Sequence, residues 1–141
     1  MKKIFLLLLV SIVAVSFSGC KNDKDKALAQ LQSQMDQINA KCPVQVDGIT
    51  TWESIEVADG NIVYNYTVAD TEDGQVIKAF KEKADDQKAI IKNALKGERN
   101  FKSGFQPLAV KADLGIKYIY KSSANGEKVE VLITPKEVAE L

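Results

Sequence analysis

The chain has 141 residues, 19 Lys and Arg against 19 Asp and Glu, and no histidine. The charge balance leaves no basic excess to neutralise phosphates, which argues against nucleic acid as a partner. Without histidine the chain lacks the commonest general base near neutral pH and the commonest metal ligand, so neither a catalytic dyad nor a bound metal or cofactor is expected.

The first element is an export signal. Met1-Lys2-Lys3 precedes twelve residues, Ile4 to Val15, of which only Ser11 is polar. Small residues then lead to Cys20. The apolar run is short for a permanent span, which needs about 20 residues, and fits a cleaved signal. Phe17-Ser18-Gly19-Cys20 resembles the lipobox of bacterial lipoproteins, departing from it at Phe17, where that family prefers an aliphatic residue. The resemblance implies cleavage before Cys20, a diacylglycerol on its thiol and acylation of the new amine. Two acyl chains anchor a protein stably, whereas one is marginal. Residues 1–19 are therefore expected to be a signal peptide, 20–26 a polar tether and 27–141 a single domain. By resemblance to the sorting rules of diderm bacteria, Lys21 favours the outer membrane. The expected location is the cell envelope, with the membrane contacted through the N-terminal lipid. Cys42 then has no partner within the chain.

Ala27 to Lys41 is predicted helical, with Leu28, Leu31, Met35, Ile38 and Cys42 along one seam and Pro43 ending it. Asp59-Gly60 predicts a tight hairpin pairing Val57 with Ile62, Ile55 with Tyr64 and Glu53 with Tyr66. A second helix is expected from a cap at Thr71 or Asp73 to Gly97. Its apolar side carries Val76, Ile77, Phe80, Ala84, Ile91, Ala94 and Leu95. Pro107 predicts a short helical turn through Lys111. Asn125-Gly126 predicts a second hairpin, with Lys121 opposite Glu130, Tyr120 opposite Val131 and Tyr118 opposite Ile133. Thr134-Pro135-Lys136-Glu137 reads as a capping box opening a short C-terminal helix.

The order helix, hairpin, helix, hairpin, short helix predicts an α+β fold. Its expected form is a four-stranded, mainly antiparallel sheet with two helices packed on one face. The motif Ile62-x-Tyr64-x-Tyr66 recurs as Ile116-x-Tyr118-x-Tyr120, but on opposite sides of its two turns, so no tandem repeat is read. Cys42-Pro43-x-x-Val46-Asp47-x-x-Thr50-Thr51-x-x-Ser54-Ile55, Tyr64-x-Tyr66-Thr67 and the strand from Gly115 to Tyr118 resemble a group of small exported bacterial proteins of unassigned function. That resemblance implies export and supplies no activity.

Cys42 lies at a predicted helix C-terminus, where the dipole disfavours a thiolate, so it reads as a small apolar residue. Asp70-Thr71-Glu72-Asp73-Gly74 fails the calcium-loop spacing and reads as helix capping. Two surfaces remain. Tyr64, Tyr66, Tyr118 and Tyr120 share the helix side of the sheet and could line a small-ligand pocket. Trp52, Val63, Ile119 and Leu132 are expected on the opposite face as an exposed contact patch. The sequence thus predicts a non-enzymatic envelope lipoprotein that binds an unknown envelope protein. The alternative is a small-ligand binder using the tyrosines.

Overall fold

The structure, a computed structural model, describes residues 22–141. The export signal, the lipobox and the expected lipidation site Cys20 lie outside the described residues. Helix α1 spans Asp23–Asn39 and begins inside the stretch expected as a tether. Asn22 caps it, its side-chain oxygen accepting from the Asp25 N–H at 2.9 Å. Asp23 and Asp25 in the first turn suit the positive end of the helix dipole. Ala27, Leu31 and Met35 are buried at a spacing of four, with Leu28 and Ile38 flanking them.

The remaining elements follow in order. They are β1 (Val44–Gln45), β2 (Thr50–Ala58), β3 (Asn61–Val68), α2 (Gln75–Glu82), α3 (Ala84–Gly97), a π-helical turn (Phe101–Phe105), α4 (Gln106–Lys111), β4 (Gly115–Ser122), β5 (Lys128–Ile133) and α5 (Pro135–Ala139). The strands form one sheet in the order β1-β2-β3-β4-β5.

This corrects the expected four-stranded sheet. β1 adds a fifth, edge strand, and the two hairpins meet through a parallel pair, β3 with β4, so the sheet is mixed. A parallel pair needs a crossover of a dozen or more residues, and the helical segment between Val68 and Gly115 supplies it. The recurring motif explains which edges meet. Ile62, Tyr64 and Tyr66 lie directly beside Ile116, Tyr118 and Tyr120 in register.

Both hairpin registers differ in detail from expectation. In the first, Val57 opposes Ile62 and Ile55 opposes Tyr64, but a bulge at Glu53 brings Trp52, not Glu53, opposite Tyr66. In the second, the pairs are Tyr118 with Val131, Tyr120 with Val129 and Lys121 with Lys128. That is a slip of two residues from the predicted pairs, which leaves every side chain on its expected face. The loop is longer than two residues. The Gly126 N–H donates to the Ser122 carbonyl at 3.1 Å, and the Ser122 N–H to the Glu127 carbonyl at 2.8 Å.

The expected second helix is divided at Lys83 into α2 and α3. Neither Thr71 nor Asp73 is the N-cap residue, although Thr71 Oγ1 accepts the Gln75 N–H at 3.4 Å. Gly74 occupies the N-cap with φ +67°, and the Asp70 carboxylate reaches over the turn to accept the Val76 and Ile77 N–H groups at 2.9 and 3.1 Å. α4 carries Pro107 in its first turn, as expected. The capping box of α5 forms: Thr134 Oγ1 accepts the Glu137 N–H, and Glu137 returns an acceptor to the Thr134 N–H.

One core lies on one side of the sheet. Ile55, Ile62, Ile116, Val131 and Ile133 meet Leu31 and Met35 of α1, Leu108 of α4 and Val138 of α5. Asn39, the last residue of α1, locks the helix to the sheet. Its side-chain amide donates to the Ile55 carbonyl and accepts from the Ile55 N–H, both at 2.8 Å. Gly115 marks a close approach, since a Cβ there would press on the Ile133 carbonyl and the Asn61 side chain.

Candidate functional site

The bulge at Glu53 builds the most distinctive surface of the molecule. An extra residue in one strand reverses the side on which the preceding residues point. Trp52 therefore turns to the helix side of the sheet and joins the tyrosines. Across the five strands, Val44, Trp52, Tyr66, Tyr120 and Val129 form one row of cross-strand neighbours. Ile55, Tyr64, Tyr118 and Val131 form the next.

The rings stack along and between these rows. Trp52 lies 5.7 Å from Tyr64 and 6.3 Å from Tyr66, centroid to centroid. Tyr64 stacks on Tyr118 at 4.8 Å, nearly parallel, and Tyr66 on Tyr120 at 5.2 Å. Phe80 of α2 closes one end by tilting against Tyr120 at 5.1 Å. The Trp52 indole N–H donates to the Ser54 carbonyl at 3.0 Å, across the bulge. Parallel offset rings at these distances are favourable beyond their burial.

The row is graded from closed to open. Val129 and Tyr118 are buried, whereas Trp52, Tyr64, Tyr66 and Tyr120 are half-buried. Val44 at the free edge is 41% exposed, and Val46 and Ile49 beyond it are 58% and 44% exposed. These three apolar residues were not among those singled out by pattern. A signal for the bulge was present, since the apolar residues Trp52 and Ile55 are three apart where a regular strand would put them two or four apart.

Burial sets the electrostatics. It pushes the Tyr64 hydroxyl up to about 12, with Glu98 adding to the shift. Tyr66 and Tyr118 are raised further, by burial first and neighbouring phenols second. Tyr120 is raised by burial and then by Asp47. All four phenols are therefore neutral across the physiological range. Asp47 shapes the loop beside the row, its carboxylate accepting the Ile49 and Thr50 N–H groups at 2.9 and 2.8 Å, which lowers its pKa. Cys42 is half-buried, and its thiol is raised by burial and by Glu53.

The four tyrosines are thus brought together, but the other predicted surface is divided. Trp52 leaves it. Val63 is 4% exposed, Ile119 half-buried and Leu132 41% exposed. Val63 and Leu132 flank Lys117, and Ile119 lies between Asn65 and Glu130. Lys117 and Glu130 approach to 3.7 Å. Charged and apolar side chains alternate there, with Lys117 between Val63 and Leu132.

An open depression of about 470 Å³ is lined by Lys96, Gly97, Glu98, Arg99, Lys102 and Ser103. Among the described residues no group of three or more His, Cys, Asp or Glu could hold a metal ion, and no helix is long and apolar enough to cross a membrane.

The sequence matches no protein-family model and no curated protein. Two solved structures resemble the fold. One is a protein of Pseudomonas aeruginosa classed as secreted, with a TM-score of 0.66 at 6% identity, covering 85% of this chain and 99% of the other. The other is the pilotin EpsS of the Vibrio vulnificus type 2 secretion system, with a TM-score of 0.45 at 8% identity, covering 82% and 94%. The first likeness is one of fold alone.

Proposed function

We propose that this chain is a non-enzymatic envelope lipoprotein, anchored through acylated Cys20, whose domain binds a protein partner at the open end of the aromatic row. The observation that carries the reading is the half-buried Trp52 stacked on Tyr64 and Tyr66 and continuous with exposed Val44. Trp and Tyr with partly covered faces are the residue types that dominate protein contacts, and their ordering is already complete before a partner arrives. The lipobox resemblance supports the anchor. The fold shared with a protein classed as secreted is in keeping with export.

The test uses the exposed edge, where substitution spares the core. A photo-crosslinking residue at Val46 should capture one envelope protein in cells, and Val44→Lys should abolish the capture without lowering the melting temperature. Capture from Val46 that survives Val44→Lys combined with Ile49→Glu removes this surface from the proposal. Metabolic palmitate labelling with a Cys20→Ala control tests the anchor, and an unlabelled wild type refutes it. A small apolar ligand against the same rings is the second reading, favoured by their partial exposure. It predicts a shift in Trp52 emission with cell extract from which protein has been removed.

A further inference from the structure

The distance between the proposed anchor and the folded domain is fixed by covalent geometry. Helix α1 is capped by Asn22 and begins at Asp23, and Ala27 in its second turn is already buried in the core. Only Lys21 separates Cys20 from the capping residue. Two peptide units reach at most about 7 Å. A domain held by a lipid on Cys20 therefore has no long tether and must keep the first turn of α1 at the bilayer surface.

From there α1 runs 17 residues, about 25 Å at 1.5 Å per residue. Its far end, Asn39, is bound to Ile55. Ile55 neighbours Tyr64 across the strands, and Tyr64 stacks on Trp52. The aromatic row thus stands at the end of α1 opposite the anchor.

Two orientations are open to such a body, α1 upright or α1 lying on the membrane. Helices that lie in the interface carry large apolar residues and Lys or Arg toward the lipid. The exposed side of α1 beyond its first turn carries Ala29, Gln30, Gln32, Ser33 and Gln37, with no cation and no large apolar group. That surface has nothing to hold it to lipid headgroups. The geometry points to an upright domain, its α1 N-terminus on the bilayer and the aromatic row held away from it, facing a partner rather than the lipid.

This inference rests on the proposed anchoring, and the experiment separates the two. Trp52 is the only tryptophan of the chain. The lipidated protein is reconstituted in vesicles of phosphatidylethanolamine and phosphatidylglycerol carrying a dansyl-headgroup lipid, and energy transfer from tryptophan to dansyl is read. The wild type reports from the row. Trp52→Phe combined with Asp23→Trp reports from the start of α1, and Trp52→Tyr serves if the phenylalanine variant does not fold. Transfer at least about threefold greater from position 23 than from position 52 is expected for the upright stance, given the helix length. Equal transfer, with acylation of Cys20 verified by mass, overturns the upright stance and leaves the anchor in place. An unmodified Cys20 overturns the anchor and the stance with it.

Discussion

Replacing Trp52 by alanine tests the bulge on which the aromatic row depends. A tryptophan in a core covers about 150–250 Å², so a half-buried ring hides on the order of 100 Å², worth about 2.5 kcal/mol at 25 cal/mol per Å². Loss of two stacked neighbours and of the hydrogen bond to the Ser54 carbonyl adds about 1 kcal/mol. Relaxation of the neighbouring tyrosines returns part of this, leaving about 3 kcal/mol. In a straight ladder Trp52 would point to the solvated face, where substitutions usually cost within about 0.5 kcal/mol. Urea unfolding followed by far-ultraviolet circular dichroism, which needs no tryptophan signal, distinguishes the two. With a slope of about 1–2 kcal/mol per molar, the midpoint should fall by about 1.5–3 M. A midpoint within about 0.3 M of wild type, on the same slope, would show that the ring is not packed on Tyr64 and Tyr66. Deleting Glu53 provides the converse. It removes the extra residue while keeping Trp52 opposite Tyr66 and Ser54 opposite Asn65, so the protein should still fold and Trp52 should keep its buried emission.

Glu137 accepts from the Thr134 N–H and pairs with Lys88 at 2.9 Å and Lys92 at 3.3 Å, which hold its carboxyl at about 2 against an ordinary 4.5. Because the folded value is depressed, its contribution is complete above pH 4.5 and is lost as pH falls toward 2. Glu137→Gln should cost about 1 kcal/mol at pH 7 and nearly nothing at pH 2, read by urea unfolding at both. Gly115→Ala should cost about 2 kcal/mol or more in the same assay, because the new methyl meets the Ile133 carbonyl. Gly97→Ala, at the end of α3 with open space around it, should gain about 0.5 kcal/mol. Cys42 should react with maleimide more slowly in the folded protein than in urea, since burial and Glu53 raise its thiol. Equal rates would show the thiol to be free.

Local chemistry was legible wherever the partners are close in sequence. The Thr134–Glu137 box, Pro107 and the Asp59-Gly60 turn are decided within a few residues, and the structure contains each of them. The faces of β3, β4 and β5 were also legible, because a period of two survives a slip of two. What failed was non-local or turned on one residue. Alternation alone does not state which strand edges meet, so the parallel β3–β4 pair was not foreseen although its matched residues were noticed. The bulge at Glu53 hid in a strand of otherwise regular pattern, and it moved Trp52 from one candidate surface to the other. β1 is only two residues long and leaves no periodic trace. The Asp70–Gly74 stretch reads correctly as helix capping, but the cap was placed at Thr71 or Asp73, because Asp70 acts six and seven residues ahead, across a turn, where capping rules look two or three.

The side-by-side placement of Ile62-Tyr64-Tyr66 and Ile116-Tyr118-Tyr120 has a consequence for how the chain is made. Val68 and Gly115, at the two ends of the crossover, are joined by every residue of α2, α3 and α4. The N-terminal hairpin can close within microseconds of its synthesis, but its inner border stays bare until nearly fifty further residues have been delivered. During that interval Tyr64 and Tyr66 lie on an unsealed strand rich in aromatic groups, the kind that recruits neighbouring chains. Export of an unfinished chain would therefore be the moment of greatest exposure to aggregation, and a chaperone that shields this one border would raise the yield of folded protein more than one acting on the C-terminal hairpin.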